Sequence, residues 1–333
     1  MKKQIALVTG GYSGEAVVSY KSAQTVENNI DKDLYDVYKI DITPDGWYYI
    51  PTEGVKLPVD KSHFTVQKEG KTVRFDAALL CIHGTPGEDG KLQGYLDLMR
   101  VPYTSCDTTT SALTFNKRFT VGVAAFGGVH VAASKLLFAG EAYDIAAIQR
   151  MQFPVFVKPN NGGSSIGMSK VDANNADDIK AALDKAFAED SQVLVEEFVS
   201  GREFTIGVVK VKGEIITLPM TEILKPEGLH FFDYEAKYNS QNLEVTPADA
   251  SESIAKKVQE TAKRIYQLLN CRGIVRIDFI YNEAIDEPFM LEVNTVPGQT
   301  AASLVPQQLA AMNWPLKDFY TALVEEAIGV RQN

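Results

Sequence analysis

Apolar positions recur along this chain with two periods. Ile5 to Thr9 is a short apolar run stopped by Gly10-Gly11, and Ala16, Val17, Tyr20, Ala23 and Val26 then repeat at helical spacing. Strand, glycine turn and helix follow from that pattern. Val37 to Ile42 and Ala77 to Ile82 predict two further strands, with a hairpin, FTVQKEGKTVRF, turning about Glu69-Gly70 between them. The N-terminal third is therefore expected to be an open α/β sheet. From Asp107 to Phe126 the chain turns to Thr, Ser and Ala with Lys117 and Arg118, a helix leading out of that lobe near residue 115. Beyond it the pattern predicts a strand at Val155 to Lys158, a Gly/Ser loop, and a helix from Ala176 to Ala188 that Asn175 can cap. Strands at Val193 to Glu197 and Phe204 to Val211 come next. A helix capped by Ser251 carries Ile254, Val258, Ile265, Leu268 and Leu269 at spacings of three and four, and a hairpin over 274–294 and a terminal helix from Leu316 to Ile328 complete the chain.

The hairpin holds the most informative chemistry. Alternation in GIVRIDFIYNEAIDEPFMLEVNTVPG puts Arg276 and Asp278 on one face and Ile277 and Phe279 on the other, and likewise gathers Glu292 with Asn294. If the hairpin closes around the loop 281–288 so that positions summing to 570 face each other, Asp278 opposes Glu292 and Arg276 opposes Asn294. Two carboxylates across a sheet repel. Hard divalent cations with carboxylate and amide oxygens supply the compensation, Mg²⁺ shared with a nucleotide's phosphates being the usual case.

Four other segments carry chemistry. FPVFVKPNNGGSSIGMSKV puts Lys158 at a strand end before a loop whose backbone N–H groups can wrap phosphate oxygens, and it lacks the Gly-Lys-Ser/Thr of a Walker loop. In EEFVSGREF, backbone groups around Val199 can meet a purine edge while Glu203 accepts from ribose hydroxyls. TGGYSGEAVVSY misses the G-x-G-x-x-G spacing and sets Glu15 at the helix start, where a carboxylate suits a substrate ammonium better than a pyrophosphate. CIHGTPGEDGKLQG places His83 at the carboxyl end of an apolar strand, where open α/β sheets bind ligands.

Charge and length narrow the class. The 333 residues carry a net charge of −10, a surface that repels phosphate backbones and anionic lipid, so neither nucleic acid nor a membrane is expected as partner. Val121 to Ala133, the longest weakly polar stretch, is broken by Gly122, Gly127, Gly128 and His130 and is too short to span a bilayer. MKKQIALVTGG reads as a first strand, not a signal peptide. Cys81, Cys106 and Cys271 are widely spaced without paired-ligand spacing, so a reduced, cytoplasmic protein is expected.

In order, GGYSGE, HGTPGEDG, NKRFT, VKPNNGGSSIGMSKV, EEFVSGREF, FFDYEAKY, RIDF, LEVNTVPG and SLVPQ resemble the D-alanine:D-alanine ligases of the ATP-grasp superfamily over nearly the whole chain. The resemblance implies a three-lobed α/β ATP-grasp fold: an N-terminal open, Rossmann-like domain (1–115) contributing to the first D-alanine site, a central lobe (116–205), and a C-terminal lobe (206–333) with the metal and second-substrate sites. It implies ATP-dependent joining of two D-alanines through an acyl phosphate, for peptidoglycan precursor synthesis, by a homodimer. Asp278, Glu292 and Asn294 would hold two Mg²⁺, with Mn²⁺ able to substitute. Lys117, Lys158 and Lys237 would contact the ATP phosphates beneath Ser165, and Glu196, Glu197, Val199 and Glu203 would hold adenine and ribose. Glu15 would take the first D-alanine's ammonium, with His83 near its carboxylate. Arg276 and the Gly298 backbone would stabilise the oxyanion, and Ser303 and Leu304 would take the second D-alanine's carboxylate. Ser164 and Tyr238 would join Glu15 in a hydrogen-bond network closing the loop around 237. Glu197 stands where many relatives have Lys, Asn161 to Gly163 replaces a more usual Glu-Gly pattern, and Phe232 stands where a Tyr is often found. Two other classes are weighed beside this one: a different ATP-grasp carboxylate–amine ligase, and a nucleotide sensor of the same fold.

Overall fold

The computed structural model describes residues 1–162, 166–224 and 244–329. Ser164, Ser165, Lys237 and Tyr238 lie outside the described residues, as does Phe232.

Three sheets organise the chain. The first runs Leu57–Pro58, Gly46–Tyr49, Tyr35–Thr43, Lys3–Gly10, Ala77–Leu80, and Lys3–Gly10 is parallel to both its neighbours. A parallel strand covered on both faces must be apolar throughout, and Ile5, Ala6, Leu7 and Val8 are fully buried. Ile5 and Leu7 pack in one core with Ala23 and Val26 of helix Ala16–Asn29, while Ala6 and Val8 meet Tyr38, Tyr49 and Phe75 on the other side. The expected hairpin stands between these strands as Thr65–Lys68 and Lys71–Arg74, its Glu69 and Gly70 at φ 52° and 75°.

The second sheet, Ser169–Val171, Val155–Pro159, Gln192–Glu197, Ser134–Phe138, is antiparallel. Helix Ala176–Phe187 closes its core of Val155, Val157, Ile179, Leu183, Val193 and Val195, and Asn175 caps that helix by accepting from Asp177 N at 2.9 Å. The third sheet runs Glu244–Val245, Thr221–Ile223, Arg202–Val211, Ile274–Asn282, Glu287–Asn294, with Glu214–Thr217 paired to the long strand. Helix Glu252–Leu268, capped by Ser251, lays Val258, Ala262 and Ile265 against Phe204, Ile206, Ile277 and Phe279.

Three features depart from the sequence expectations. The helix expected over 107–126 is two, Thr108–Phe115 and Lys117–Phe126, because Asn116 leaves helical geometry (φ −95°, ψ 106°) and caps the second by accepting from Phe119 N at 3.0 Å. The strand crossing position 205 pairs with Ile274–Asn282 from Arg202 onward, so the third sheet claims it whole, and Val121 and Ala124 of the second short helix join that sheet's core too. Third, the hairpin turn is shorter than expected. Pairing starts at Asn282↔Glu287 and keeps a sum of 569 up to Phe279↔Met290, then shifts at a β-bulge to 570 for Asp278↔Glu292, Ile277↔Val293 and Arg276↔Asn294. Leu291 is the extra residue, and the bulge delivers the expected facing pairs from a different turn.

Candidate active site

The bulged end of the hairpin forms one wall of a cavity of about 430 Å³. Glu15, His83, Lys117, Glu203, Arg276, Asp278, Glu292, Asn294, Gly298, Ser303 and Leu304 all line it, so most of the side chains singled out from sequence converge on one space.

At its centre, Arg276 clamps Asp278 with two hydrogen bonds, Nε to Oδ1 at 2.9 Å and a terminal nitrogen to Oδ2 at 2.8 Å, and lies 4.0 Å from Glu292. The Arg276 guanidinium thus compensates part of the repulsion between the facing acids from within the protein. Residues 276 and 278 project to the same side of one strand, so the guanidinium reaches the carboxylates from within the hairpin. Burial works against the Arg276 charge, but Asp278, Glu292 and Glu88 outweigh it and hold the pKa above its ordinary value. Thr205 Oγ1, from the neighbouring strand, also donates to Asp278, and Asn294 Nδ2 does so at 3.3 Å. Two carboxylates and an amide oxygen make a hard-oxygen set suited to Mg²⁺ completed by phosphate oxygens. Consistent with so small a set, no cluster of three or more His, Cys, Asp or Glu able to hold a metal occurs among the described residues.

On the opposite wall, Glu15 heads the first helix, and its carboxylate receives the Ser13 hydroxyl at 3.4 Å. It lies over Gly84: a Cβ on that glycine, whose φ is +67°, would come within 2.5 Å of Glu15 Oε2. His83 is buried, with Nε2 3.1 Å from Ser22 Oγ, and its pKa is lowered to about 4 by burial, a Val296 backbone hydrogen bond pulling the other way and Arg276 reinforcing the drop. Near a substrate carboxylate it therefore offers a neutral ring, not a positive charge. Ser303 sits at the start of helix Leu304–Ala311, accepting from Thr300 N at 3.0 Å, with the Gly298 backbone beside its hydroxyl. Free N–H groups at a helix start suit a carboxylate.

The nucleotide candidates divide. Lys117 opens its helix and donates to the Gly162 carbonyl at 2.5 Å. Lys158 and Glu196 form an ion pair with each other inside the second sheet, away from the cavity lining, and Glu197 accepts from Gln152 N at 2.8 Å. Val199 follows the strand end, outside the lining as well. Two residues that sequence reasoning did not single out belong here. Thr205 gave no sequence signal beyond alternation. Glu88, inside the quoted HGTPGEDG, accepts from Gly84 N at 2.7 Å and Val296 N at 3.3 Å, and burial pushes its pKa up to about 7.

The three sheets and the cavity walled by the Arg–Asp/Glu–Asn hairpin fit the ATP-grasp enzymes that the motifs resemble, and comparison with known proteins resolves the family. The model described as D-ala D-ala ligase N-terminus matches residues 4–106, and that described as D-ala D-ala ligase C-terminus matches 117–325. The chain belongs to the D-alanine–D-alanine ligase family. It is 44% identical to the D-alanine–D-alanine ligase of Parabacteroides distasonis, covering 100% of this chain and 99% of that one, and 42% identical to the Flavobacterium johnsoniae enzyme of that name over 97% and 98%. Among solved structures it resembles D-alanyl-alanine synthetase A from Vibrio cholerae (TM-score 0.88, 28% identity, 99% of each chain) and the VanG D-Ala:D-Ser ligase from Enterococcus faecalis (TM-score 0.83, 29% identity, 99% of each).

Proposed function

We propose that this protein joins two D-alanines at the expense of ATP, giving D-alanyl-D-alanine, ADP and phosphate for peptidoglycan precursor synthesis. The observation that carries this is the convergence on one cavity of Glu15, the Arg276/Asp278/Glu292/Asn294 cluster and the helix start at Ser303–Leu304. These offer an anion for an ammonium, a charge cluster for phosphates, and N–H donors for a carboxylate.

Glu15 would hold the first D-alanine's ammonium, leaving its carboxylate toward Arg276 and the Gly298 backbone. Transfer of the ATP γ-phosphoryl group to that carboxylate gives an acyl phosphate, and the second D-alanine's amine then attacks the acyl carbon and expels phosphate. Asp278, Glu292 and Asn294 would hold Mg²⁺, or Mn²⁺ in its place, which offsets phosphate charge when bound. Arg276 stabilises negative charge on the tetrahedral oxygen. Lys117 and Glu203 support phosphate and ribose contacts, and Lys237 and Ser165 would add to the phosphates. For Lys158, Glu196, Glu197 and Val199 a nucleotide role requires the second sheet to present to the ligand the face and strand end formed by its two inner strands. Ser164 and Tyr238 would complete a network with Glu15. A cytoplasmic homodimer with lobes near 1–115, 116–205 and 206–333 belongs to the same proposal. Among the described residues no helix is long and apolar enough to cross a membrane.

The test is direct. Purified protein with ATP, Mg²⁺ and D-alanine should release ADP and phosphate and form the dipeptide. AMP as product, or nucleotide turnover indifferent to D-alanine, refutes it. D-Serine is included as a competing second substrate, because a D-Ala:D-Ser ligase shares this fold.

A further inference from the structure

Glu88 is a half-buried carboxylate that touches both walls of the cavity. Its two oxygens divide between them: Oε2 accepts from Gly84 N at 2.7 Å, and Oε1 from Val296 N at 3.3 Å, 208 residues away in sequence. Gly84 is the residue over which the Glu15 carboxylate lies, and Val296 is on the segment that runs from Asn294 to Gly298. One wall thus carries the group for the substrate ammonium, the other the groups for its carboxylate.

We propose that Glu88 is a positioning residue that fixes the span of the first-amino-acid subsite by holding these two backbone N–H groups on one rigid carboxylate. The proposal rests on the ligase activity argued above. Burying a carboxylate is costly, and such a group persists where its hydrogen bonds are needed. Burial pushes the Glu88 pKa up to about 7 and the Glu15 charge adds to the rise, while the hydrogen bonds from Gly84 and Val296, joined by the Arg276 charge, favour the ionised form. A second strut runs beside it. Gln299 N donates to Ser22 Oγ at 3.1 Å, and Ser22 Oγ lies 3.1 Å from His83 Nε2. That strut ties the same two walls, and its His83 also hydrogen-bonds the Val296 backbone, but the N–H groups of Gly84 and Val296 both donate to Glu88.

Two substitutions test this. In Glu88→Gln one carboxylate oxygen becomes an NH₂ group, which cannot accept from either N–H. In Glu88→Asp the charge stays but the side chain is too short to reach both. Steady-state kinetics over a wide D-alanine range separate the KM values of the first and second sites, with the KM for ATP and the melting temperature measured alongside. Either folded variant should raise the first-site KM by roughly tenfold to a hundredfold, the effect of losing one buried hydrogen bond to a charged acceptor, with the ATP KM within about twofold of wild type. A first-site KM unchanged in both variants overturns the proposal. So does an equal loss at the ATP site accompanied by a fall in melting temperature, which would make Glu88 a general structural residue. If the wild type itself forms no dipeptide, the assigned activity fails and the proposal falls with it; if the wild type is active and Glu88→Gln matches it, only the proposal falls.

Discussion

His83 and Glu88 stand on one loop, and burial moves their proton affinities in opposite senses: the imidazole down to about 4, the carboxyl up to about 7. In the unfolded chain these groups titrate near 6.5 and near 4.3. For His83, whose folded pKa is depressed, the stability contribution is present above about pH 6.5 and is lost as pH falls through about 4. For Glu88, whose folded pKa is raised, it is present below the ordinary glutamate range and is lost as pH rises through about 7. Between about pH 4.5 and 6.5 the two slopes oppose each other, each at most ~1.4 kcal/mol per pH unit. Glu88→Gln should therefore gain stability relative to wild type as pH rises through that window, by at most roughly 3 kcal/mol, whereas His83→Asn should lose it. Urea unfolding at half-unit pH steps gives both difference curves. Curves parallel to wild type would show that neither group changes its proton count on folding.

At the scale of elements, the hairpin shows how local periodicity places chemistry. Period-two alternation is a property of a few consecutive residues, so Arg276 with Asp278 and Glu292 with Asn294 were readable as same-face pairs. The bulge was not readable that way, because it depends on how two strands pair, although the adjacent apolar residues Met290 and Leu291 do break the alternation. Deleting Leu291 should close the bulge without turning the acids, because Met290 and Glu292 already face the consecutive residues Phe279 and Asp278, so the pairs Asp278–Glu292 and Arg276–Asn294 survive. The urea midpoint should then stay within about 1 kcal/mol of wild type, while the local twist that the bulge adds is lost and turnover should fall. A sharp drop in the midpoint, or loss of soluble protein, would mean that the bulge itself holds the hairpin's register. The same limit explains what stayed hidden elsewhere. Glu88 meets Val296 and Thr205 meets Asp278 only after strands distant in sequence are brought together. The break at Asn116 was hidden for another reason: Thr, Ser and Ala on both sides are compatible with one helix or two, and only the cap at Phe119 N selects two.

Across the whole molecule, the terminal helix Leu316–Gly329 returns to the first sheet. Phe319, Tyr320, Leu323 and Val324 share one core with Ile5, Leu7 and Val26, and Lys3 pairs with Glu325 at 2.9 Å. The first and last parts of the chain therefore fold against each other, and the cavity between them draws Glu15 and His83 from one and the hairpin acids from the other. A ligand that touches both sides should stabilise the whole chain, by about 2.7 kcal/mol at a hundred times its Kd. The nucleotide's phosphates would lie close to Asp278 and Glu292, so ATP in EDTA meets repulsion that ATP with Mg²⁺ does not. Wild type should accordingly show a clearly larger thermal shift with ATP and Mg²⁺ than with ATP in EDTA. Glu292→Gln removes one acid while leaving the bidentate Arg276–Asp278 pair in place, and the Arg276–Glu292 contact at 4.0 Å joins a partly exposed carboxylate whose pairing is worth little. The apo variant should therefore melt near wild type, its ATP shift in EDTA should be equal or larger, and the increment due to Mg²⁺ should shrink or vanish together with turnover. A Mg²⁺ increment of wild-type size in Glu292→Gln would place the metal on other groups. A fall of many degrees in the apo variant would instead make Glu292 part of what holds the hairpin together.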